Sequence, residues 1–266
     1  MNKKIAIIGG GNLGTAIAEG LISSGFILPQ DIIITKRHLI TLDHLHEEGV
    51  NISADNNVAA QFADYIILAV KPFQLKDVLT GIHPHLNAKK HVLISVATAV
   101  WIKDIQEMLE DPFTIFRVMP NTAIAIRESM TCISHLNANE EQIKFVTDVF
   151  NQLGKSVAIE EKLMDAATVL GACGTAFALR YIRANIQGGI EIGFSAKIAS
   201  LIAAQTVKGA AELLLKRNTH PEQEIDKVTT PKGCTIAGLN EMEHKGFSSS
   251  LIKGIVTSYN KIVNEM

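Results

Sequence analysis

The sequence predicts an α/β fold, a doubly wound parallel sheet, followed by an all-helical domain. Two observations lead to this prediction. Apolar runs of strand length alternate with helical patterns up to about residue 160, which is typical of parallel βαβ units with right-handed crossovers. Beyond that point helical patterns follow one another and strand candidates are few. We therefore expect a Rossmann-type domain over residues 1–160 and a helical domain over residues 161–266.

Composition narrows the classes of function. With 266 residues, of which 47% are hydrophobic and 20% charged, the chain is long enough to bury a full core. A formal net charge of −2 provides no basic surface for nucleic acid. No uncharged apolar run reaches the roughly 18 residues that a membrane helix needs. The chain enters a strand at once, which leaves no room for a signal peptide, so we expect a cytoplasmic protein.

The cysteines and histidines do not predict a metal site. Cys132, Cys173 and Cys234 are odd in number and far apart, and none belongs to a CxxC pair. Reduced thiols are the simplest interpretation of such cysteines. Two pairs of histidines, His44 with His46 and His83 with His85, have i, i+2 spacing and would not share one face of a helix. We expect no metal ligation.

The first strand ends in a glycine turn. The apolar run 4–8 is followed by Gly9, Gly11 and Gly14, and apolar residues then recur at helical spacing. In this G-x-G-x-x-G order the first glycine allows a tight turn, the second lets a pyrophosphate approach the backbone, and the third lets helix pack on strand. A helix starting at residues 12–13 would turn its free N–H groups toward the phosphates. The turn predicts dinucleotide binding, although glycine triplets also occur in ordinary turns.

The end of the second strand indicates which dinucleotide is bound. NAD-binding versions of this fold usually place a carboxylate there, to accept from the adenosine ribose hydroxyls. Here the apolar run 31–35 ends at Thr35 and is followed by Lys36, Arg37 and His38. Cations suit a ribose 2′-phosphate, so we predict that NADP(H) is preferred and that NAD(H) is possible. The alternative is a basic loop that faces only solvent.

Two further strands end in distinctive sequences. The apolar run 64–70 suits a strand buried on both faces and stops at Lys71-Pro72. The run 113–118 leads into Met119-Pro120-Asn121. The carboxyl ends of parallel strands form the edge at which open α/β sheets bind ligands. We therefore expect both sequences to lie at a binding site.

The helical half contains two stretches that are apolar around most of their circumference, 166–179 and 198–207. A monomeric surface helix does not tolerate such a face. We infer an intersubunit helical interface and at least a dimer. The alternative is that the first domain covers these helices.

One segment of the helical half, 227–239, is polar and rich in turn residues. Pro231 and Gly233 bend it, three threonine hydroxyls line it, and a helix is expected to begin near Thr235. A helix N-terminus with nearby hydroxyls can bind a carboxylate. A capped loop between two helices fits the same pattern.

Five motifs occur together and in order. They are the glycine turn, Ala69-Val70-Lys71-Pro72, Arg117 to Thr122, Ala203 to Val207, and Val228 to Leu239. With these motifs the chain resembles the pyrroline-5-carboxylate reductase family from end to end, and the threonine-rich last motif is the most specific. The resemblance implies NAD(P)H-dependent reduction of 1-pyrroline-5-carboxylate to L-proline, the last step of proline biosynthesis. It also implies a homo-oligomer through the C-terminal helices, in which the site is completed across the dimer.

The resemblance implies roles for individual residues. Thr235 would be the catalytic residue, hydrogen bonded to the imine nitrogen, and substrate binding would involve Thr230 and the backbone N–H groups of Gly233, Cys234 and Thr235. Cofactor contacts are implied at the pyrophosphate for Gly9, Gly11, Asn12, Leu13 and Gly14, at the adenosine end for Thr35, Lys36, Arg37 and Asn56, and near the nicotinamide for Ala69, Val70, Lys71, Pro72, Met119, Pro120 and Asn121. Lys71 is interpreted as a cofactor contact rather than as a catalytic acid.

Two departures from the family pattern concern the substrate side. The family usually reads Ser-Gly-Ser-Gly-Pro-Ala-Tyr where this chain has Gly171 to Phe177, so that two hydroxyls, a proline and a phenol are lost. Lys232 stands where the family more often has a small residue, usually glycine. The first departure is expected to affect the substrate wall or the start of a helix, and the second places a cation beside the threonines.

Three alternative functions remain open at this point. A β-hydroxyacid dehydrogenase-like enzyme would need a catalytic lysine in the helical half, where Lys197 and Lys208 are candidates without a supporting motif. A reductase of the six-membered piperideine carboxylate fits the altered 171–177 segment. A non-catalytic NADP-binding paralogue with a regulatory role is disfavoured by Thr230, Gly233 and Thr235.

Overall fold

The computed structural model describes residues 3–265 and divides into two compact units. The first unit extends to Ala172 and includes the chain from Lys261 onward, and the second unit spans Cys173–Asn260. We call them unit 1 and unit 2. The division at residues 160 and 161, inferred from the change in sequence pattern, stays a prediction.

Unit 1 is built on one sheet, in which eight strands are found within residues 3–265. They are β1 (Ile5–Ile8), β2 (Ile32–Thr35), β3 (Asn51–Ser53), β4 (Tyr65–Leu68), β5 (Val92–Ser95), β6 (Thr114–Met119), β7 (Ser129–Leu136) and β8 (Gly154–Ala158). Their order is β3-β2-β1-β4-β5-β6-β7-β8. From β3 to β6 all neighbours are parallel, β7 runs antiparallel to β6, and β8 is parallel to β7.

The helices of the described chain fall into a group that packs around this sheet and a group that forms unit 2. They are α1 (Asn12–Ser23), α2 (Asp43–Glu47), α3 (Asn56–Phe62), α4 (Leu75–Ile82), α5 (Ile102–Leu109), α6 (Glu140–Asn151), α7 (Met164–Ala167), α8 (Gly174–Glu191), α9 (Ala196–Arg217), α10 (Pro221–Lys227), α11 (Cys234–His244) and α12 (Phe247–Glu265). Short 3₁₀ turns connect several of them.

The central strands of unit 1 are apolar because both of their faces are covered. All four residues of β1 are buried, and its side chains alternate between two separate core clusters. Ile7 lies in one cluster with Ile17 and Leu21 of α1, whereas Ile8 lies in the other with Leu79 of α4. Helices therefore cover both faces of the sheet, as the predicted doubly wound fold requires.

The strand order places a switch point at β1. The chain moves outward to one side through β2 and β3, and then returns to pair β4 with the other side of β1. In sheets of this kind the crevice outside the carboxyl ends of the strands at the switch point is the ligand-binding position. The glycine turn after β1 and the Lys71-Pro72 sequence after β4 both lie at this edge.

Strand β7 was not predicted, and it begins the part of the sheet, β7 and β8, that runs antiparallel to the other described strands. Its buried positions include the hydroxyl residues Ser129 and Thr131, which hydrogen bond to each other at 3.2 Å. Its exposed positions include Met130. Because polar residues are buried and an apolar one is exposed, the strand lacks the continuous apolar run that indicated the others.

The start of the second half is one continuous helical run. Helix α7 continues through a π-helical turn, Thr168–Cys173, directly into α8. The short helix α10 has the sequence Pro-Glu-Gln-Glu-Ile-Asp-Lys and carries too few apolar residues for a periodic signal.

Unit 2 leaves many large apolar side chains exposed. Helices α8 and α9 approach each other closely where a methyl group on Gly189 would lie 3.1 Å from the Ala199 Cβ atom. Elsewhere on these helices apolar side chains are open to solvent, among them Leu179, Ile190, Leu201 and Ile202. Two stretches, Glu161–Glu191 and Ala196–Arg217, are long and apolar enough by length and composition to cross a membrane.

Candidate active site

The glycine turn follows β1 and lies against the carboxyl ends of β2 and β4. Gly9 has a φ of +114°, and a methyl group on it would lie 2.5 Å from the Ala69 carbonyl oxygen at the end of β4. On the other side, the N–H groups of Gly9 and Gly10 donate to the Thr35 carbonyl at 3.3 and 2.6 Å. A side chain at Gly9 would be both strained and obstructed. The turn is therefore fixed between β2 and β4.

Gly11 differs from its neighbours because the space beside it is open. A methyl group on Gly11 would have no heavy atom within 4 Å. Helix α1 begins at the next residue, Asn12, as predicted, and Gly11 contributes no side-chain cap to it. The first N–H groups of the helix therefore face an exposed cradle, which suits an anion such as a pyrophosphate. Gly14 has the packing role expected of it, since a side chain there would overlap the Gly9 carbonyl.

The end of β2 holds Asn56 in place. The Thr35 hydroxyl donates to the Asn56 Oδ1 atom at 2.7 Å, and Thr35 is only 2% exposed. Thr35 was expected to contact the adenosine end, and this contact stays a prediction; its hydroxyl also orients Asn56. Within residues 3–265 the Asn56 amide N–H₂ group, at the start of α3, donates no side-chain hydrogen bond, so both of its donors are available.

The basic residues that follow β2 are accessible. Arg37 is exposed, and within residues 3–265 it makes no ion pair with a carboxylate. Lys36 is half-buried, and its N–H donates to the Ser53 carbonyl at 3.1 Å. The loop therefore carries positive charge beside Asn56 at the switch-point edge, as a 2′-phosphate site would need.

The chain leaves β4 along the same edge. The Ala69 N–H donates to the Ile8 carbonyl at 2.8 Å, which extends the pairing of β1 and β4 by one residue. Ala69 and Val70 are half-buried, whereas Lys71 and Pro72 are exposed. Phe73 is 80% exposed, which is unusual for a large aromatic side chain. The predicted residues 69–72 thus border the crevice.

The sequence after β6 is more enclosed than was expected of a cofactor contact. Met119 and Pro120 are buried. The Asn121 Oδ1 atom accepts from the Ala123 N–H at 3.0 Å, and its Nδ2 atom donates to the Gly171 carbonyl at 3.2 Å. These three residues shape the loop from inside unit 1.

Sequence reasoning assigned no role to Arg117, which is fully buried in β6. Its Nη2 atom donates to Asp165 Oδ1 at 2.9 Å, and its Nη1 atom lies 3.5 Å from Glu161 Oε1. A charged residue inside an otherwise apolar strand was the signal that could have identified it, because a buried charge requires a partner.

In unit 2 the threonine-rich segment forms a tight turn. The Gly233 N–H donates to the Thr230 carbonyl at 2.9 Å, and a methyl group on Gly233 would lie 2.5 Å from the Thr230 hydroxyl oxygen. Lys232 has a φ of +61°, in the left-handed region that favours glycine. This conformation explains why a glycine is the usual residue at position 232 in the family pattern.

Helix α11 begins immediately after this turn. Cys234 is its first residue and Thr235 its second, and no side chain caps its N-terminus. The N–H groups of Cys234 and Thr235 are thus free of intrahelical partners, whereas the Gly233 N–H, expected to bind the substrate carboxylate, is already used by the turn. The Thr235 hydroxyl has no hydrogen-bond partner in the part of the chain that the structure describes.

The altered segment 171–177 lies half in the π-helical turn and half in the first turn of α8. The chain stays helical throughout this segment. Within residues 3–265 no cluster of three or more His, Cys, Asp or Glu side chains is arranged to hold a metal ion.

Comparison with known proteins places both halves of the chain. Residues 161–265 match the family model "Pyrroline-5-carboxylate reductase dimerisation", and residues 4–99 match "NADP oxidoreductase coenzyme F420-dependent". Pyrroline-5-carboxylate reductase 2 of Dictyostelium discoideum is 46% identical over 276 residues, which cover 98% of this chain and 92% of the relative. Pyrroline-5-carboxylate reductase 1 of the same organism is 47% identical over 97% of this chain, which spans 49% of that relative's length.

A solved structure gives the same answer for the fold. The crystal structure of pyrroline carboxylate reductase from Plasmodium falciparum with NADP bound has a TM-score of 0.88 and 28% identity, covering 98% of this chain and 97% of the other. Fold and site together define an oxidoreductase with a Rossmann-type dinucleotide-binding unit and a helical unit. The relatives identify it further: the chain belongs to the pyrroline-5-carboxylate reductase family. The predictions of fold class, family and enzyme class are confirmed.

The open cradle at Gly11 gives a testable prediction. Gly11→Ala adds a methyl group that meets no protein atom, at a residue with an ordinary extended backbone, so we expect the melting temperature to stay unchanged. The same methyl group would block a pyrophosphate, and we expect the dissociation constant for NADPH to rise by about 10-fold or more. Calorimetric titration measures it. Gly81→Ala, which also meets no atom within 4 Å, is the matched control; unaltered NADPH binding by Gly11→Ala would contradict the assigned cradle.

Proposed function

We propose that this chain reduces 1-pyrroline-5-carboxylate to L-proline with NADPH. The observation that carries the proposal is the unpartnered Thr235 hydroxyl at the N-terminus of α11, beside the turn formed by Thr230 and Gly233. This arrangement stands in the threonine-rich motif of the family to which the chain belongs. The length shared with the second Dictyostelium relative, 92% of that protein, supports the same activity for this chain.

The residues of unit 1 fit NADPH. The pyrophosphate would be held by the open cradle at Gly11 and the first N–H groups of α1, and Gly9 and Gly14 keep that cradle in shape. Asn56, oriented by Thr35, would bind the adenosine ribose, and Lys36 and Arg37 would bind the 2′-phosphate. The bound NADP named in the Plasmodium falciparum structure supports this choice of cofactor. When bound, NADPH supplies a hydride.

The remaining cofactor contacts belong to the loops after β4 and β6. Lys71 and Pro72 are exposed at the crevice and would line the nicotinamide end together with Ala69 and Val70. The loop formed by Met119, Pro120 and Asn121 would support the nicotinamide end. Met119 and Pro120 are buried, and the Asn121 side chain is hydrogen bonded within unit 1.

The residues of unit 2 fit the substrate. The free N–H groups of Cys234 and Thr235, with the positive end of the α11 dipole, would bind the carboxylate, and the Thr230 hydroxyl would donate to it as well. The Thr235 hydroxyl would accept from the protonated imine nitrogen and fix the ring's orientation. An alcohol is a poor acid at neutral pH, so the proton at nitrogen comes from solvent. Addition of a hydride at the imine carbon and a proton at nitrogen yields proline and NADP⁺.

We further propose a homo-oligomer assembled through the helices of unit 2. The exposed apolar side chains of α8 and α9 and the match of residues 161–265 to a dimerisation model support it. A second copy of the chain would cover these faces, which also accounts for their apolar length without a membrane. The predictions of a cytoplasmic location and of no nucleic-acid or membrane partner are kept; three unpaired cysteines favour the location.

The assay that tests the proposal uses the purified full chain with NADPH and 1-pyrroline-5-carboxylate. We expect one proline to form for each NADPH oxidised. Absorbance measures the oxidation of NADPH, and amino-acid analysis measures the proline. A parallel arm with the six-membered piperideine carboxylate compares kcat/KM for the two ring sizes. Binding of NADPH without turnover of either ring would contradict an enzymatic role and favour the non-catalytic alternative.

Thr235→Val should separate orientation from folding. Valine has the shape of threonine without the hydroxyl, so α11 should begin at the same residue and NADPH binding should be unchanged. Loss of a hydrogen bond to a charged group, about 1.5 to 3 kcal/mol, predicts a fall in kcat/KM of about 10- to 100-fold. Thr235→Ser keeps the hydroxyl and should stay near the wild-type rate. An unchanged rate for Thr235→Val would refute the role given to Thr235.

Arg37→Asp tests the choice between cofactors. A carboxylate at this position should repel a 2′-phosphate and accept from a free ribose hydroxyl, so KM for NADPH should rise by about 10-fold while KM for NADH stays the same or falls. Steady-state kinetics with both cofactors measure this. Lys144→Asp makes the same charge change on the distant helix α6 and serves as the control. Equal losses with NADPH and NADH would remove the argument for a 2′-phosphate site.

A further inference from the structure

The guanidinium of Arg117 connects three segments of unit 1. Besides its two carboxylate partners, Glu161 and Asp165, it lies over the Trp101 ring, 5.1 Å from the ring centroid. Glu161 Oε1 also accepts from the Ile102 N–H at 2.7 Å, at the start of α5. The guanidinium therefore links β6, the first turn of α5 and the residues just before and within α7.

A second connection lies two residues beyond the end of β6. The Asn121 amide donates to the Gly171 carbonyl, inside the π-helical turn that leads into α8. The same residue is fixed from the β7 side, since its N–H donates to the Ser129 hydroxyl at 3.0 Å. Arg117 thus holds the beginning of the segment 161–171 against the carboxyl end of β6, and Asn121 holds its end.

The geometry of the first connection depends on arginine. Its planar fork reaches two carboxylates from one buried position while its face stacks on an aromatic ring, and a lysine has no equivalent arrangement. Arg117 is 0% exposed, so these contacts are little screened by solvent. A buried ion pair of this kind adds little stability relative to an apolar replacement, whereas removing one partner alone is strongly destabilising.

We propose that Arg117 is a positioning residue for the reduction. By clamping 161–171 to the end of β6, it sets the loop Met119–Asn121 that supports the nicotinamide end. The inference rests on the proposed function, because it assigns that loop to the reacting end of the cofactor. It predicts that Arg117 controls the rate of the chemical step and not the affinity for the cofactor.

Distance separates Arg117 from the residues that hold the phosphates. The glycine turn follows β1, and β4 and β5 lie between β1 and β6. Three strand spacings correspond to about 14 Å. A change confined to the Arg117 cluster should therefore leave the pyrophosphate cradle and the 2′-phosphate site intact.

Three variants separate positioning from stability. Arg117→Met leaves Glu161 and Asp165 without their cation and should lower the melting temperature. The triple variant Arg117→Met, Glu161→Gln and Asp165→Asn removes all three charges, while the amide oxygen introduced at position 161 can still accept from the Ile102 N–H. Its melting temperature should therefore return to near that of the wild type. Arg117→Lys keeps the charge without the fork. Lys144→Met, which breaks an exposed ion pair with Asp148, is the matched control.

The expected result is a split between kcat and cofactor affinity. For Arg117→Lys and for the triple variant we expect kcat to fall by about 10- to 100-fold, as for small misplacements in other sites, with the NADPH dissociation constant within about 2-fold of wild type. Trp101 is the chain's single tryptophan, so energy transfer from it to NADPH measures that constant. Wild-type kcat in Arg117→Lys or in the triple variant, or equal losses of kcat and affinity, would overturn the inference.

Hydrogen exchange tests the role of Arg117 separately from the proposed function, because the measurement needs no turnover. Faster exchange in the segment 161–171, with unchanged exchange around Gly9–Gly14, is expected for Arg117→Lys and for the triple variant. Unchanged exchange in 161–171 would overturn the clamp itself. Absence of turnover by the wild-type chain would refute the proposed function, whereas normal wild-type turnover with insensitive variants would refute only the role of Arg117.

Discussion

The site of unit 1 depends on one close approach of backbone to backbone, that of Gly9 to the end of β4. Because Gly9 has no side chain, the Ala69 carbonyl can lie against it while the Thr35 carbonyl accepts from the turn on the other side. The ends of β1, β2 and β4 are thereby brought to one edge. The open space beside Gly11, Asn56 and the Lys71-Pro72 sequence all lie at this edge.

Features determined by neighbouring residues could be predicted from the sequence. The spacing of Gly9, Gly11 and Gly14 after an apolar run gave both the turn and the start of α1 at Asn12, since strand, turn and helix signals are local. The start of α11 beside Gly233 was predicted within one residue for the same reason. The apolar circumference of α8 and α9 likewise indicated surfaces that unit 2 leaves exposed.

Features determined by distant partners could not be predicted. The Thr35 hydroxyl donates to Asn56, 21 residues away, and this pairing could not be read from the residues around either position. Arg117 meets Glu161 and Asp165 only after β6 and α7 are brought together. The antiparallel strand β7 is stabilised by its neighbours rather than by its own pattern. The left-handed conformation of Lys232 also became visible only in the folded turn.

The π-helical turn Thr168–Cys173 has a consequence for which of its own side chains are buried. A π turn accommodates one residue more than a regular turn, and each residue advances an α-helix by about 100°. Thr168 and Val169 are buried in this turn, whereas Leu170 is 71% exposed. A single residue deleted from the turn would shift this register by about 100° and would bring a different side chain of the segment into the core of unit 1.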